Sequence, residues 1–345
     1  MKPNKKYILL IIAVVFICFF IIVKNDREVW IGDYKYDIFL NNFKLSVYVV
    51  EYKGGEEIVK IPSNIGPFKV DYVKDGVYEG NNKIKKVVIG KESAENVSFR
   101  ECENLEKVVY EDGVKICKND FSHCVRLTKI EMNESMEEVD LRLRKCINLK
   151  KILIPNRVKT ISLECRDCES LESLKFPEDI EKIDYLNIEK CTALLDLLFP
   201  STLQEIDLFI CEGTPFVEQH KDDKYYIVGD GCLIISNGAN GIVPLGVKNS
   251  SNLVKQSDNM VYYPDSLKIF DYSDVDYNTH CFGAEEFEKI NIDSKCTIVA
   301  PEGSPMAKYC QENGLNYRPS TPEEEATRKQ KTEAAASEIT YQDNN

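Results

Sequence analysis

The sequence predicts a β-rich solenoid, a stack of coils of about 22 residues each that parallel sheets hold together. The first observation is a phrase that starts with cysteine and carries leucine three residues later. It recurs at Cys102, Cys124, Cys146, Cys168 and Cys191, and Cys211 follows at a similar distance. A nearly constant period of this length is typical of repeats that bury their apolar faces by stacking on one another.

The second observation is the alternation of apolar and polar residues inside each period. In one coil Leu149, Ile152 and Ile154 are spaced to point inward from a short strand. Pro155 ends that strand, because proline has no N–H to donate to a ladder. A second alternating segment, such as the one at 139–144, follows in the middle coils. Stacked in register, these segments predict two parallel sheets with coils about 4.8 Å apart.

The amino terminus combines a basic segment with an apolar run. Lysines at positions 2, 5 and 6 precede residues 7–23, which carry no charge. Seventeen residues are about the shortest helix that spans a bilayer, and no small-residue cleavage site follows. We therefore predict a cytoplasmic N-terminus at 1–6 and an uncleaved single-pass transmembrane signal-anchor at 7–23, with the rest of the chain outside. The alternatives are a cleaved signal peptide, which would leave the chain secreted, and a buried core helix.

The repeat resembles a known family. The spacing Cys-x-x-Leu-x-x-Ile-x-Ile-Pro resembles the BspA-like (Treponema-type) leucine-rich repeats of microbial surface proteins, and Phe99 and Phe121 keep the phenylalanine that precedes the cysteine there. The resemblance extends from about Lys44 to Tyr317. It implies a right-handed leucine-rich-repeat stack, a small hairpin insertion at about 214–240 and a C-terminal capping helix at about 304–314.

The domain layout follows from these segments. Residues 24–43 are predicted to form a linker and a first strand, and 44–318 the solenoid. The capping helix is expected to begin after Ser304 and to stop at Gly314, because serine caps helix N-termini and glycine accepts the left-handed backbone at their ends. Residues 319–345 are polar and are predicted to be a disordered tail.

Charge and motif content exclude several classes of function. The net charge of −13 argues against a nucleic-acid partner, which would require a basic face for phosphates. The sequence has three histidines, none of them in a metal-binding or nucleophile motif, and it has no phosphate-binding glycine loop. We therefore predict no catalytic residues, no metal and no cofactor.

The six repeated cysteines are predicted to form a structural column. Residues one coil apart lie above one another, and a buried free cysteine behaves as a small hydrophobe. A disulfide between adjacent rungs is an alternative that depends on side-chain geometry. A metal site is disfavoured, because Cys165-x-x-Cys168 has no second pair at zinc-site spacing.

Two further columns face outward in the predicted strands. Asp140, Ser162, Asp184 and Asp207 occupy one outward position on successive coils, where the stacked carboxylates of the three aspartates could take calcium or simply form a solvated face. Val109, Leu153 and Leu198 share another outward position and form a possible interface.

These features lead to three hypotheses. The first is a membrane-anchored cell-surface protein that mediates protein binding or adhesion, its partner being an unknown protein or a host or matrix ligand. The second is a structural envelope spacer without a dedicated ligand. The third, an enzyme, lacks any constellation of residues to support it.

Overall fold

A computed structural model describes residues 28–41, 44–91, 93, 95–237, 241–250, 260–272, 279–283, 285–292 and 295–342. These residues form a β-solenoid with parallel sheets, which confirms the predicted fold class. They divide into two compact units, unit 1 (28–158, 163–174 and 188–194) and unit 2 (159–162, 175–187 and 195–342). The predicted anchor at 7–23 lies outside the described residues. Within the described ranges, no helix is both long enough and apolar enough to cross a bilayer.

Most strands are short, as expected for coils of this length. The strands up to residue 153 are β1 (Glu28–Ile31), β2 (Tyr34–Asn41), β3 (Lys44–Tyr52), β4 (Ile58–Lys60), β5 (Asn64–Ile65), β6 (Phe68–Lys69), β7 (Tyr72–Val73), β8 (Lys86–Ile89), β9 (Val97–Ser98), β10 (Lys107–Tyr110), β11 (Ile116–Asp120), β12 (Lys129–Glu131), β13 (Glu138–Arg142) and β14 (Lys151–Leu153).

The second half adds helices to the strands. Its strands are β15 (Thr160–Glu164), β16 (Ser173–Lys175), β17 (Lys182–Ile183), β18 (Tyr185–Asn187), β19 (Asp196–Leu198), β20 (Glu205–Ile206), β21 (Phe209–Ile210), β22 (Tyr225–Val228), β23 (Cys232–Ser236), β24 (Met260–Tyr262), β25 (Ile269–Tyr272), β26 (Thr279–Cys281), β27 (Lys289–Ile292), β28 (Thr297–Ala300), β29 (Asn316–Pro319) and β30 (Ile339–Tyr341). Its helices are α1 (Pro215–Gln219), α2 (Pro305–Asn313) and α3 (Pro322–Ala336).

Unit 1 contains two parallel ladders. Strands β4, β8, β10 and β12 pair side by side, and β9, β11 and β13 form the second ladder. Val108 pairs with Val87 in the preceding coil and with Ile130 in the following coil, so the register equals the coil period. An antiparallel meander, β1 to β3, precedes the coils, and β3 pairs in parallel with β7.

A column of stacked rings fills part of the unit 1 core. Tyr78 lies on Phe99 with ring centroids 4.7 Å apart, and Phe99 lies on Phe121 at 5.7 Å. All three side chains are fully buried. Stacking contributes in addition to the burial of large apolar area, so this column is expected to be a main source of stability in unit 1.

The residue before each of the first five column cysteines has a left-handed backbone. These residues are Glu101, His123, Lys145, Asp167 and Lys190, with φ values between 57° and 64°. In the preceding coil the same position is held by Gly80, with φ 67°. The conformation lets the backbone N–H reach the next coil, as when Lys145 donates to the carbonyl of Arg166 at 2.9 Å. Only glycine adopts it without a steric cost.

Replacing Lys145 with glycine is therefore expected to raise the free energy of unfolding. Relief of the left-handed strain is worth about 1–2 kcal/mol, and the greater freedom of unfolded glycine removes about 0.5–1 kcal/mol of that gain. The control is Lys151→Gly in β14, where glycine weakens an ordinary strand and stability should fall. Urea unfolding measures both, and a loss of stability in Lys145→Gly would contradict the strain argument.

The last coils of unit 2, from β24 onward, are shorter than those of unit 1. Strands β24, β26, β28 and β29 pair in parallel. His280 pairs with Val261 and Ile298. The sequence separation between His280 and these partners is smaller than that between Val108 and its own partners. Strands β22 and β23 form the expected antiparallel hairpin within 214–240.

Helix α2 has the predicted ends. Ser304 Oγ accepts a hydrogen bond from the Ala307 N–H at 3.2 Å. Gly314 has a left-handed backbone with φ 64°, and its N–H donates to the Cys310 carbonyl. Both residues therefore act at the ends of the helix as the sequence predicted.

The prediction of a disordered tail at 319–345 is wrong over the helix and strand found there. Helix α3 begins with a capping box formed by Thr321 and Glu324. It buries Arg328, Thr332 and Ala335, which are four and three residues apart and so share one helical face. Strand β30 then pairs in parallel with β22. Composition misled the prediction, because so small a buried face barely changes the average polarity of the segment.

Candidate interaction surfaces

Five of the six predicted column cysteines lie in unit 1 and are fully buried: Cys102, Cys124, Cys146, Cys168 and Cys191. Each thiol donates to a backbone carbonyl of the preceding coil, three residues before that coil's own cysteine position. The Cys146 Sγ donates to Phe121 O at 3.3 Å, and the Cys168 Sγ to Leu143 O at 3.0 Å. Cys211 is only partly buried and belongs to unit 2. None of the described cysteines is in a disulfide.

This geometry explains why cysteine suits the position. The Phe121 carbonyl already accepts from the Cys124 N–H within its own turn at 3.1 Å, and the Cys146 thiol uses its second lone pair. A thiol is small enough for the turn and still carries a weak donor. Serine would keep the donor at a higher desolvation cost, and alanine would lose it.

Thiol labelling is expected to separate Cys211 from the column. Burial raises the pKa of Cys102 to about 11, and burial raises the pKa of Cys310 to about 11 as well. Since only the thiolate reacts, iodoacetamide at neutral pH should modify Cys211 before Cys310 and before the five buried column cysteines. Peptide mass spectrometry of the native chain and of the chain in urea measures this. Equal native labelling of Cys146 and Cys211 would contradict the buried ladder.

The acidic column divides between the units. Asp184 and Asp207 lie in unit 2, where the Lys182 ammonium contacts both carboxylates, at 3.0 and 2.8 Å. Burial opposes ionisation of Asp207, but hydrogen bonds with Glu205, Lys182 and Lys289 hold the pKa of Asp207 at about 2. Lysine ammonium groups therefore neutralise the charge that a cation would neutralise. No group of three or more potential ligands with metal-binding geometry occurs within the described ranges.

Asp140 lies in unit 1, in a polar groove of about 380 Å³. The groove also contains Arg100, Lys118 and Arg142, so its acids and bases alternate along the outer face of β9, β11 and β13. Such a mixed lining is that of a solvated sheet face.

The three residues of the predicted interface differ in exposure. In unit 1 Val109 is half-buried and Leu153 is 65% exposed. In unit 2 Leu198 is 44% exposed. Leu198 lies in a depression that also contains the exposed apolar side chains Leu195 and Tyr341, at 69% and 59%.

We name this depression the Leu198 groove; it has a volume of about 310 Å³. Its apolar and aromatic lining consists of Leu195, Leu197, Leu198, Phe216, His220, Tyr226 and Tyr341. Phe216 and Tyr226 are buried, and the His220 ring lies 3.8 Å from the Tyr226 ring and 4.6 Å from the Phe216 ring. Exposed leucines around an aromatic floor are typical of an interaction site rather than of an inert surface.

Polar contacts hold the floor of the Leu198 groove in place. His220 Nδ1 lies 2.7 Å from Asp223 Oδ2, and Thr340 donates to the other Asp223 oxygen at 2.8 Å. One carboxylate thus joins the helix α1 region to β30, the strand that the tail contributes. The groove is a preformed feature of unit 2.

The repeats match one protein family. The model of the BspA type leucine rich repeat region matches residues 92–214 in six copies. Residues 92–214 are BspA-type leucine-rich repeats. These BspA-type repeats contain the whole cysteine column and the first elements of the Leu198 groove. No curated protein matches the chain.

Several solved structures are similar to the chain. A leucine-rich repeat protein of T. pallidum is 20% identical, with 54% of this chain and 86% of that one covered and a TM-score of 0.40. A leucine rich cell surface protein from Faecalibacterium prausnitzii is 16% identical over 88% and 97%, with a TM-score of 0.37. A leucine-rich repeat protein from Bacteroides ovatus is 16% identical over 85% and 100%, with a TM-score of 0.38.

Sequence reasoning found one leucine of the Leu198 groove and missed its other walls. Leu198 is the outward residue of a BspA-type strand, so the repeat pattern identified it. Phe216 and Tyr226 belong to the insertion, and Tyr341 to the tail that was predicted to be disordered. A run of leucines at 194, 195, 197 and 198 was the available signal, because its outward members exceed what a solvated strand requires.

Proposed function

We propose that this protein is a membrane-anchored cell-surface repeat protein that binds another protein, or a host or matrix component, and that it is not an enzyme. The Leu198 groove carries the proposal. Its rim side chains are 44–69% exposed on a protein whose other outward side chains are largely polar. Covering water-exposed leucine and tyrosine beside an aromatic floor removes apolar surface from water, which favours binding of a partner there.

The anchoring part of the proposal rests on residues 7–23. Their uncharged run behind three lysines supports a single-pass helix with the N-terminus inside. The test is labelling of intact cells with a membrane-impermeant amine reagent, followed by mass measurement of the recovered chain. Labelled lysines after residue 24 on a chain of uncleaved mass support the anchor. A mass that lacks the first residues supports secretion after cleavage, and an unlabelled chain contradicts surface exposure.

Binding is tested with the full chain and two matched variants. Leu153 and Leu198 are outward residues at the same place in their coils, and only Leu198 lies in the groove. We expect Leu198→Asp to weaken binding to a saturable extracellular or matrix partner by at least about tenfold, and Leu153→Asp to change it little. An equal loss of affinity in both variants would indicate that the partner binds the outward strand face and not the Leu198 groove.

A structural spacer is the second candidate, favoured by the ion pairs between coils of unit 1. Lys107–Glu131, Lys115–Glu137, Lys118–Glu138 and Lys150–Glu172 have N–O distances of 2.7–3.1 Å. These pairs neutralise the outer faces without creating a binding site. The absence of any saturable partner across extracellular and matrix proteins would favour the spacer.

A further inference from the structure

Strand β19 ends its sheet within the part of the chain that the structure describes. Such an edge strand presents backbone N–H and C=O groups to whatever lies beside it. The Leu198 groove runs along this edge, since Leu195, Leu197 and Leu198 all line it. The groove therefore offers a backbone ladder as well as apolar side chains.

A single side-chain amide already occupies part of this edge. Gln342 Nε2 donates to the Phe199 carbonyl at 2.7 Å, and Gln342 Oε1 accepts from the Phe199 N–H at 3.1 Å. These are the two bonds that a residue in a neighbouring strand would make, because a carboxamide has the same donor and acceptor as a peptide group. Residues two apart in a strand point their backbone groups to the same side, so the N–H and C=O of Leu197 face the same edge.

The groove has room for a side chain that such a strand would carry. A volume of about 310 Å³ is near the lower end for ligand sites and fits one large apolar side chain rather than a globular surface. Phe216, His220 and Tyr226 would contact that side chain from below. Strand addition with a side-chain pocket is a recurring way in which proteins bind extended peptides.

The charges at the rim favour a basic partner. Asp196 lines the groove, and its side chain remains 42% exposed beside its partner Lys175. Helix α1, which contributes Phe216 and Gln219 to the groove, also carries Glu218; this residue does not line the groove, is largely exposed and makes only a loose contact with Lys221 at 3.9 Å. The whole chain has a net charge of −13. Lysine or arginine beside the apolar side chain would therefore be attracted to the groove.

We propose that the Leu198 groove binds an extended segment of a partner protein, which adds to β19 as a strand and inserts one large apolar side chain flanked by lysine or arginine. This inference rests on the proposed function and specifies the partner's chemistry. Residues at alternate positions of the segment face the groove, so the apolar and basic side chains would be two apart.

The probe is the peptide Thr-Lys-Val-Phe-Val-Lys-Thr, titrated against the full chain by fluorescence anisotropy. Two N-methylated forms, one at the odd and one at the even positions, each remove the N–H donors of one strand edge. Strand addition predicts that one form loses at least about tenfold in affinity and the other does not. Leu198→Asp should cause a similar loss, whereas the matched Leu153→Asp should not. Both residues are exposed, so neither variant threatens folding.

Three results would overturn the inference. One is binding no tighter than that of a peptide with glutamates for the lysines and serine for the phenylalanine. Another is equal binding of both N-methylated forms. The third is a dimer of the chain that Leu198→Asp converts to monomer, since a second copy would then cover the groove. Loss of a folded partner's binding in Leu198→Asp, together with failure of the peptide, would retain the proposed function and reject strand addition.

Discussion

Replacing Arg328 with methionine is expected to destabilise unit 2 by about 3 kcal/mol. The guanidinium is 1% exposed and donates to the Tyr263 carbonyl at 2.8 Å and to Asp265 at 2.6 Å. Methionine has a similar shape but no donor, so the Tyr263 carbonyl, Asp265 and Glu325 would lose the hydrogen bonds that the guanidinium donates. Such losses cost more than the pair itself contributes, because the remaining groups stay desolvated.

Urea unfolding followed by circular dichroism measures the effect, and hydrogen exchange of helix α3 shows where it acts. The matched control is Arg318→Met. Arg318 makes two hydrogen bonds to Glu324 at 3.0 and 2.6 Å, but its side chain is 44% exposed. An exposed pair is worth about 0.2–1 kcal/mol. Equal losses in the two variants, or unchanged exchange of α3, would mean that other contacts hold the tail in place.

Replacing Phe121 with alanine is expected to cost unit 1 about 3–5 kcal/mol. Phe121 is fully buried and stacks on Phe99, so its removal leaves a cavity under the next ring. Close-packed coils relax little around such a void, and the lost contacts are not replaced. The effect should appear as a lower urea midpoint with loss of far-UV signal.

Two further variants separate cavity formation from other causes. Phe121→Leu retains most of the apolar volume and should cost less than about 1.5 kcal/mol. Leu153→Ala removes an apolar side chain that is 65% exposed and should change stability by no more than about 0.5 kcal/mol. A small loss in Phe121→Ala would show that the ring column is not a main support of unit 1.

The repeat period alone was enough to predict the coils. Because Cys102, Cys124, Cys146, Cys168 and Cys191 recur in phase, each apolar position of one coil must lie near its equivalent in the next. The Val108 register and the thiol-to-carbonyl bonds show that this holds in unit 1. The ends of helix α2 were equally readable, since Ser304 and Gly314 act through local backbone geometry.

Features that depend on distant contacts could not be read in this way. The tail appears disordered by composition, yet one buried arginine and a strand beside β22 place it in unit 2. Asp184 and Asp207 were predicted to share a column, but the contact of Asp207 with Lys289, which lies far along the chain, could not be inferred.

The sequence by itself determined the coil period, the inward positions and the cysteine column, because these follow from local alternation repeated at a constant spacing. Only the tertiary structure decided how Leu198, Phe216, Tyr226 and Tyr341 come together as one groove. These residues come from a repeat, an insertion and the tail. No periodic pattern links such segments, so their contact depends on long-range packing alone.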